Sequence, residues 1–552
     1  MKNVILRLMA VVLTLILSLT LIGCGGSGDQ SQQNQPSATT PGSPPAATTP
    51  TVPVSPDGPS TDGGPEYGGI FRIGSGADTA MPLGFPWEHQ VFPTQFFLGP
   101  YVEPLLEARQ DGTFGYSLAT DYKADPEKLE IVFTLREGVT FSDGSPFNAE
   151  VVAWNVQMQI DAREMNPAVT GAEVRGEYQI AILLNQYLNS IFPIFSNRPF
   201  SQISKENYEK NGSEYARTHP VGTGPFTLKE QIPGSSVSFI KRDDYWREGM
   251  PYLDGVEFIA MSDVMTQNAA MMSTGSDAID ELTTGNNEQV AFLRDNAPVY
   301  ILDQPGGYSA LIPSSMNEGD PLQKLEIRQA VSYAIDRESL VAARGYGIAR
   351  PATQLLAEGF IGHIPDESVN VRFDPDKSRD LLAAAGYPNG FSTTIICDPG
   401  GDRDSAVAIQ SMLGDVGITA ELEFPEAGAF TETRNTTWDG LLFMGIGNFT
   451  NSGTSFRLQM DPDNQWFPRM WRPGEEMRDD FDKLRGAITL EDEEYYAMRV
   501  NSLLMENMIM IPVVDTTQSF VLKNNVHDTG FAVHTPQTVW LPYATWKESK
   551  AP

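Results

Sequence analysis

Cysteine is nearly absent from this chain: Cys24 and Cys397 are the only two in 552 residues. Histidine is almost as scarce. His89, His219, His363, His527 and His534 stand at least seven positions apart, so none forms the i, i+4 pair of a helical zinc site. No G-x-S-x-G elbow, H-E-x-x-H or G-x-x-x-x-G-K-[ST] occurs. No metal, cofactor or catalytic residue is therefore expected, although 71 carboxylates leave an acid-pair hydrolase open. Positive charge is also in deficit, with 38 Lys and Arg against those 71 acids and a net charge of −33. A surface of that sign repels phosphate backbones and excludes nucleic acid as an expected partner. Long apolar runs are missing too. The longest covers residues 11–22, short for a membrane span and placed after Lys2 and Arg7, as in a secretory signal.

That run ends in Leu21-Ile22-Gly23-Cys24, which resembles the lipobox of bacterial lipoproteins. The resemblance implies cleavage before Cys24, fatty acylation of its sulfur and a tether to the outer face of the cell membrane. Cys397 is then left without a partner, so no disulfide and no cysteine-built metal site are expected. Residues 25–65 hold nine prolines, no aromatic residue and no Leu, Ile or Met. Such a segment cannot bury enough apolar surface to order itself and reads as a disordered linker. Residues 23–28 match G-x-G-x-x-G by spelling alone, with no strand before them and no helix after, and are set aside.

From residue 66 the chain reads as a globular body of roughly 490 residues, enough for two or three lobes. LEIVFTL at 129–135 is a strand, and a helix follows at 148–160 with Asn148 as its N-cap. Asp374 and Pro375 open a helix that Gly386 closes; strands follow at 391–397 and 418–424 with a helix at 406–416 between them. Residues 328–337 read as one amphipathic helix, with Arg328 and Asp336 solvated or in structural ion pairs. The glycines of Val221-Gly222-Thr223-Gly224-Pro225 read as a hinge-side turn that exploits unusual backbone angles. The alternation of strand and helix predicts an α/β fold with a largely parallel sheet in the second half.

Several segments, in order, resemble the large extracellular solute-binding proteins of ABC importers, the peptide and nickel-chelate class known as family 5. They are LEIVFTLREGVTFSDGSPFNAEVV (129–152), HPVGTGPF (219–226), KRDDYW (241–246), YLDGVEF (252–258), IRQAVSYAIDR (327–337) and DPDKSRDLLAAAGY (374–387). The resemblance implies a two-lobed periplasmic-binding-protein-like fold with an extra domain inserted in the first lobe. Its expected parts are a signal peptide (1–23), the lipidated cysteine and linker (24–65), a first lobe (66–105, 221–310 and 516–552), an inserted domain (106–220) and a second lobe (311–515). It also implies a monomer that is no enzyme, an ABC permease as partner, and an extracytoplasmic location at the cell surface or in the periplasm. Peptide-binding relatives carry an aspartate after the strand that matches WDGLLFM (438–444), and it pairs with the peptide's amino terminus. The best match here is Asn448, flanked by Gly447 and Phe449. An amide carries no charge, so either another acid serves or the ligand lacks a free amino terminus. A peptide, a sugar oligomer and a metal chelate all stay open as ligands. By position in the resemblance, Asp78, Thr79, Tyr308, Thr353, Gln354, Arg434 and Trp466 are the remaining candidates for ligand contact. A sensor that does not import is a further alternative.

Overall fold

The computed structural model describes residues 64–548 except 90–93, 109–113, 366–370, 449–451, 454, 457–466, 471–473 and 532–539. The expected signal, Cys24 and most of the linker lie outside the described residues, as do Phe449 and Trp466. No helix among the described residues is long and apolar enough to cross a membrane.

Two long strands organise the body. Val299–Pro313 and Ile511–Lys523 run antiparallel, Val299 opposite Lys523 at one end and Leu311 opposite Ile511 at the other. Strand Glu281–Thr284 continues the sheet beside residues 519–522, and strand Leu441–Gly447 beside residues 307–313. Each end of the pair thus belongs to a different lobe. Beyond Glu281–Thr284 lie Ile70–Ser75, Gly255–Ala260, Ser236–Lys241 and Phe226–Ile232; beyond Leu441–Gly447 lie Ser392–Cys397 and Thr419–Glu423. The two crossing strands pass between lobes with register shifts at Pro305/Gly307 and Ser309/Ala310. Gly307, at φ 144°, is required there because a Cβ would stand 2.0 Å from the Ile446 carbonyl oxygen.

Each lobe buries apolar residues on both faces of the sheet. In the first lobe Phe71, Phe97, Phe239, Phe258 and Trp540 fill one face, and Met271, Ile279, Leu282 and Leu293 the other. In the second, Tyr308, Ile312, Leu442 and Phe456 lie on one face and Leu311, Ile327, Ile409 and Phe443 on the other. Full burial of each such side chain contributes about 1.5–3 kcal/mol. Strands Ser392–Cys397, Thr419–Glu423 and Leu441–Gly447 are mutually parallel, as the alternation predicts. A separate antiparallel sheet, ordered 119–125, 130–135, 179–184 and 169–176, packs with helix Ala149–Asp161 around Ile131, Phe133 and Val152 with a core of its own.

Local readings meet the structure unevenly. Asn148 Oδ1 accepts from the Val151 amide, and Asp374 Oδ1 from the Lys377 amide, so both caps form. The helix expected from 406 starts earlier, at Arg403, because Asp402 accepts from the amides of Asp404 and Ser405. The single helix expected over 328–337 is two, Leu325–Ala334 and Arg337–Arg344. Asp336 is the N-cap of the second, accepting from the Ser339 amide. Arg328 is not solvated: it is 3% exposed and donates to the carbonyls of Leu322, Gln323 and Asn507. Burial lowers its pKa to about 10. Gly222 and Gly224 serve close approach rather than unusual angles, since a Cβ on either would meet the Tyr101 backbone at 1.9 Å and 2.6 Å.

Candidate functional site

Where the crossing strands pass between lobes, one face of the sheet is left uncovered. Above it lies a cavity of about 790 Å³, within the range that takes a small solute. The first lobe contributes Gly285, Asn286, Asn287 and Glu288, the turn from strand Glu281–Thr284 into helix Asn287–Asn296. The second contributes the turn from strand Ser392–Cys397 into helix Arg403–Asp415, together with Arg344 and Gly445. The floor is Ser309, Asp515, Thr516 and Thr517 of the crossing strands themselves. This is the end of each lobe where parallel strands finish and helices begin, the customary place for a ligand in an open α/β sheet.

The wall is strongly charged. Arg344 pairs with Asp404 at 2.8 Å and with Asp402 at 3.6 Å. The Arg403 guanidinium lies 4.2 Å from the centre of the Phe424 ring. Asp398 accepts from the Gly400 amide at 3.1 Å, and Ser309 donates to the Val514 carbonyl at 3.3 Å. Thr517 Oγ1 is a buried atom with no hydrogen-bond partner among the described residues. On the crossing strands, burial raises the Asp303 carboxyl above its usual range, opposed by the Ser519 hydroxyl that donates to it and by Arg350 and Arg294. No group of three or more His, Cys, Asp or Glu able to hold a metal ion occurs among the described residues.

The residues singled out from sequence fall elsewhere. Tyr308 is fully buried on the opposite face from Ser309, with its hydroxyl 3.7 Å from Met510 Sδ. Asn448 is 2% exposed; its amide donates to the Leu355 carbonyl at 2.9 Å and accepts from the Ala357 amide at 3.4 Å, latching the 355–357 loop. Gln354 holds the same loop through both backbone groups of Ile364, and Thr353 beside it is half-buried. Gly447 is exposed and pairs with Gly307. Asp78 is exposed and accepts from the Ala80 amide, while Thr79 is buried and donates to the Ile232 carbonyl. Arg434 is half-buried, its pKa lowered by desolvation, with Asp398 acting in the opposite sense. None of these lines the cavity. The residues that do were missed because they come from turns at 285–288 and 398–402 and from the crossing-strand segment 515–517; the available signal was the Gly-Gly-Asp step before a helix at 400–402.

Comparison with known proteins agrees with this geometry. Residues 113–467 match the pattern of the bacterial extracellular solute-binding proteins, family 5. The glutathione-binding protein GsiB of Salmonella typhi is 30% identical over 325 residues, covering 56% of this chain and 61% of that protein. The chain's match thus spans about three fifths of the length of these curated relatives. Among solved structures, HbpA2 of Haemophilus parasuis superposes with a TM-score of 0.75 at 19% identity, covering 87% of this chain and 99% of that one. The murein tripeptide binding protein MppA, unliganded and open, gives 0.74 at 17% identity, with 87% and 97% covered. NikA of Brucella suis in complex with Fe(III)-EDTA gives 0.71 at 21%, with 86% and 99% covered. With a mixed α/β architecture of two lobes joined by crossing strands, and a family pattern over more than half its length, the chain belongs to the bacterial extracellular solute-binding proteins of family 5.

Proposed function

We propose that this chain is the substrate-binding component of an ABC importer. It would be lipidated on Cys24, tethered outside the cytoplasmic membrane, and would present a captured solute to a permease. The lobes would divide near residues 310 and 516, where the sheet passes from one to the other. The observation that carries the reading is the cavity on the crossing strands, walled by both lobes and floored by the two segments that join them. Closing the lobes around a solute there excludes water and strengthens each polar contact. Micromolar capture needs about 8 kcal/mol in total, which several hydrogen bonds and one or two charge pairs supply. The solute class is a peptide or a similar small organic molecule, as relatives that bind glutathione or a murein tripeptide suggest. The chain makes and breaks no bond in this role.

Native mass spectrometry of freshly purified protein tests the reading. A co-purified solute that is released unaltered, and that stabilises the fold by about 2.7 kcal/mol at a hundredfold excess over its Kd, supports it. Product formation from incubated peptides or oligosaccharides would move the chain to the hydrolases. Acyl-chain mass on the amino-terminal Cys24 peptide tests the tether separately.

A further inference from the structure

Two contacts outside the crossing strands brace the second lobe against the rest of the molecule, and they differ in kind. At the edge of the cavity, Ile348 of the second lobe is 9% exposed and packs among Met271, Val290 and Leu293 of the first. This contact is apolar: it gains by excluding water and asks for no hydrogen bond.

The other contact comes from the four-stranded unit. Asn189 is 6% exposed, and its Nδ2 donates at 2.9 Å to the carbonyl of Leu484, in the last turn of helix Glu475–Arg485. The last carbonyls of a helix lack a partner four residues on, and this one takes Asn189. Tyr187, two residues earlier, stands within electrostatic reach of Glu493 on helix Leu490–Glu506. The unit itself is fastened to the first lobe. The Ser142 amide donates to the Gly222 carbonyl at 2.9 Å, Arg242 to the Phe141 carbonyl at 3.2 Å, and Arg198 to the Trp540 carbonyl. The unit therefore moves with the first lobe, and its 187–189 segment reaches across to the second. It does so away from the cavity: Leu484 belongs to the core on Tyr308's side of the sheet, whereas the cavity opens on Ser309's side.

This second contact is poorly satisfied. Asn189 Oδ1 and the Tyr187 hydroxyl are buried with no hydrogen-bond partner among the described residues. An orphaned buried polar atom costs the hydration it gave up, and one hydrogen bond returns little more than that. Parting the contact rewets both atoms, so it opens at little cost.

We propose that the 187–189 segment is a releasable brace, which holds the lobes apart over the empty cavity and parts when they close on a solute, with Ile348 as the fixed pivot. A turn about the crossing strands that narrows the Ser309 side widens the Tyr308 side, where the brace sits. Capture works against the brace, so the brace sets part of the apparent affinity. The direction of movement rests on the solute-binding reading; the brace itself does not.

The test uses full-length Cys24→Ser protein carrying spin labels at Val174→Cys and Ile488→Cys, exposed on strand Val169–Gly176 and in the turn after helix Glu475–Arg485. Label distances report the brace, and isothermal titration of stripped protein with the co-purified solute reports affinity. Asn189→Ala removes the bond: the solute-free distribution should gain a longer component, and the solute should bind at least threefold more tightly. Tyr187→Phe removes an orphaned hydroxyl and keeps the ring, which strengthens the brace: the solute-free distribution should narrow, and binding should weaken at least threefold. A merely structural role would lower the urea midpoints and leave both Kd values as they are. Unchanged distributions in both variants, unchanged Kd values, or weaker binding by Asn189→Ala overturns the proposal and leaves solute binding standing. If nothing co-purifies, the solute-binding reading falls, and the distances alone decide the brace.

Discussion

The two faces of the crossing strands use alternate residues of the same segments and do opposite things. On one face Tyr308, Ile446 and Asn448 pack against the 352–360 loop, and the Asn448 side-chain amide is spent on backbone at both its nitrogen and its oxygen. On the other, Ser309 and Gly445 open into the interlobe cavity, where side chains are half-exposed and acidic. A strand turns consecutive side chains to opposite faces, so a one-residue step exchanges core for site. The difference predicts that substitutions on the packed face cost stability and leave affinity alone, and that substitutions on the open face change affinity at small cost in stability.

Tyr308→Ala is the most severe break. Removing a fully buried aromatic should cost about 3–5 kcal/mol, read as a lowered urea midpoint, with the Kd of the folded fraction unchanged. A variant that keeps its midpoint but loses affinity would place Tyr308 at the ligand. Glu281 probes the packed interior of the first lobe. It is fully buried, burial raises its carboxyl from 4.5 to about 8, and only Oε1 is satisfied, by the Thr283 hydroxyl. The native state therefore keeps the proton to higher pH than the unfolded chain does. This contribution is complete below about pH 4.5 and is lost as pH rises to about 8, a fall of a few kcal/mol. Glu281→Gln should flatten that slope in pH-dependent urea melts; an unchanged slope would contradict it.

Asn448→Asp is the sharper comparison. It places a carboxylate oxygen against the Leu355 carbonyl that now receives the amide, and should cost about 1–3 kcal/mol, more at pH 7 than at pH 4. Tighter binding of free-amino peptides by this variant, without loss of stability, would return Asn448 to the ligand. Ser309→Ala is the mildest: about 0.5–1 kcal/mol for one hydrogen bond, with a measurable change in Kd.

Much of the scaffold was legible because its signals are local. Asn148 and Asp374 announce helix starts through their own side chains, and FSTTIIC and ITAELEF are β-branched segments with glycine nearby. The break at Asp336 was not, because Ile335 continues the apolar stripe while Asp336 caps the next helix. The site was still less legible. Which of Tyr308 and Ser309 faces the cavity depends on two register shifts in the crossing strands, and those follow from pairing with residues some two hundred positions away. The cavity is built from two turns and a crossing-strand segment far apart in sequence, and a turn shows its glycine and its cap without showing what it faces across the sheet.

A solute seated on the crossing strands should draw the lobes together. Spin labels at positions 265 and 407, exposed on helices Val264–Met272 and Arg403–Asp415, report that distance. They can be placed on cysteines in a Cys24→Ser chain, since burial pushes the Cys397 thiol up to about 11 and keeps it unreactive. A shorter and narrower distance distribution is expected when the co-purified solute is restored to stripped protein; the same distribution with and without solute would rule lobe closure out.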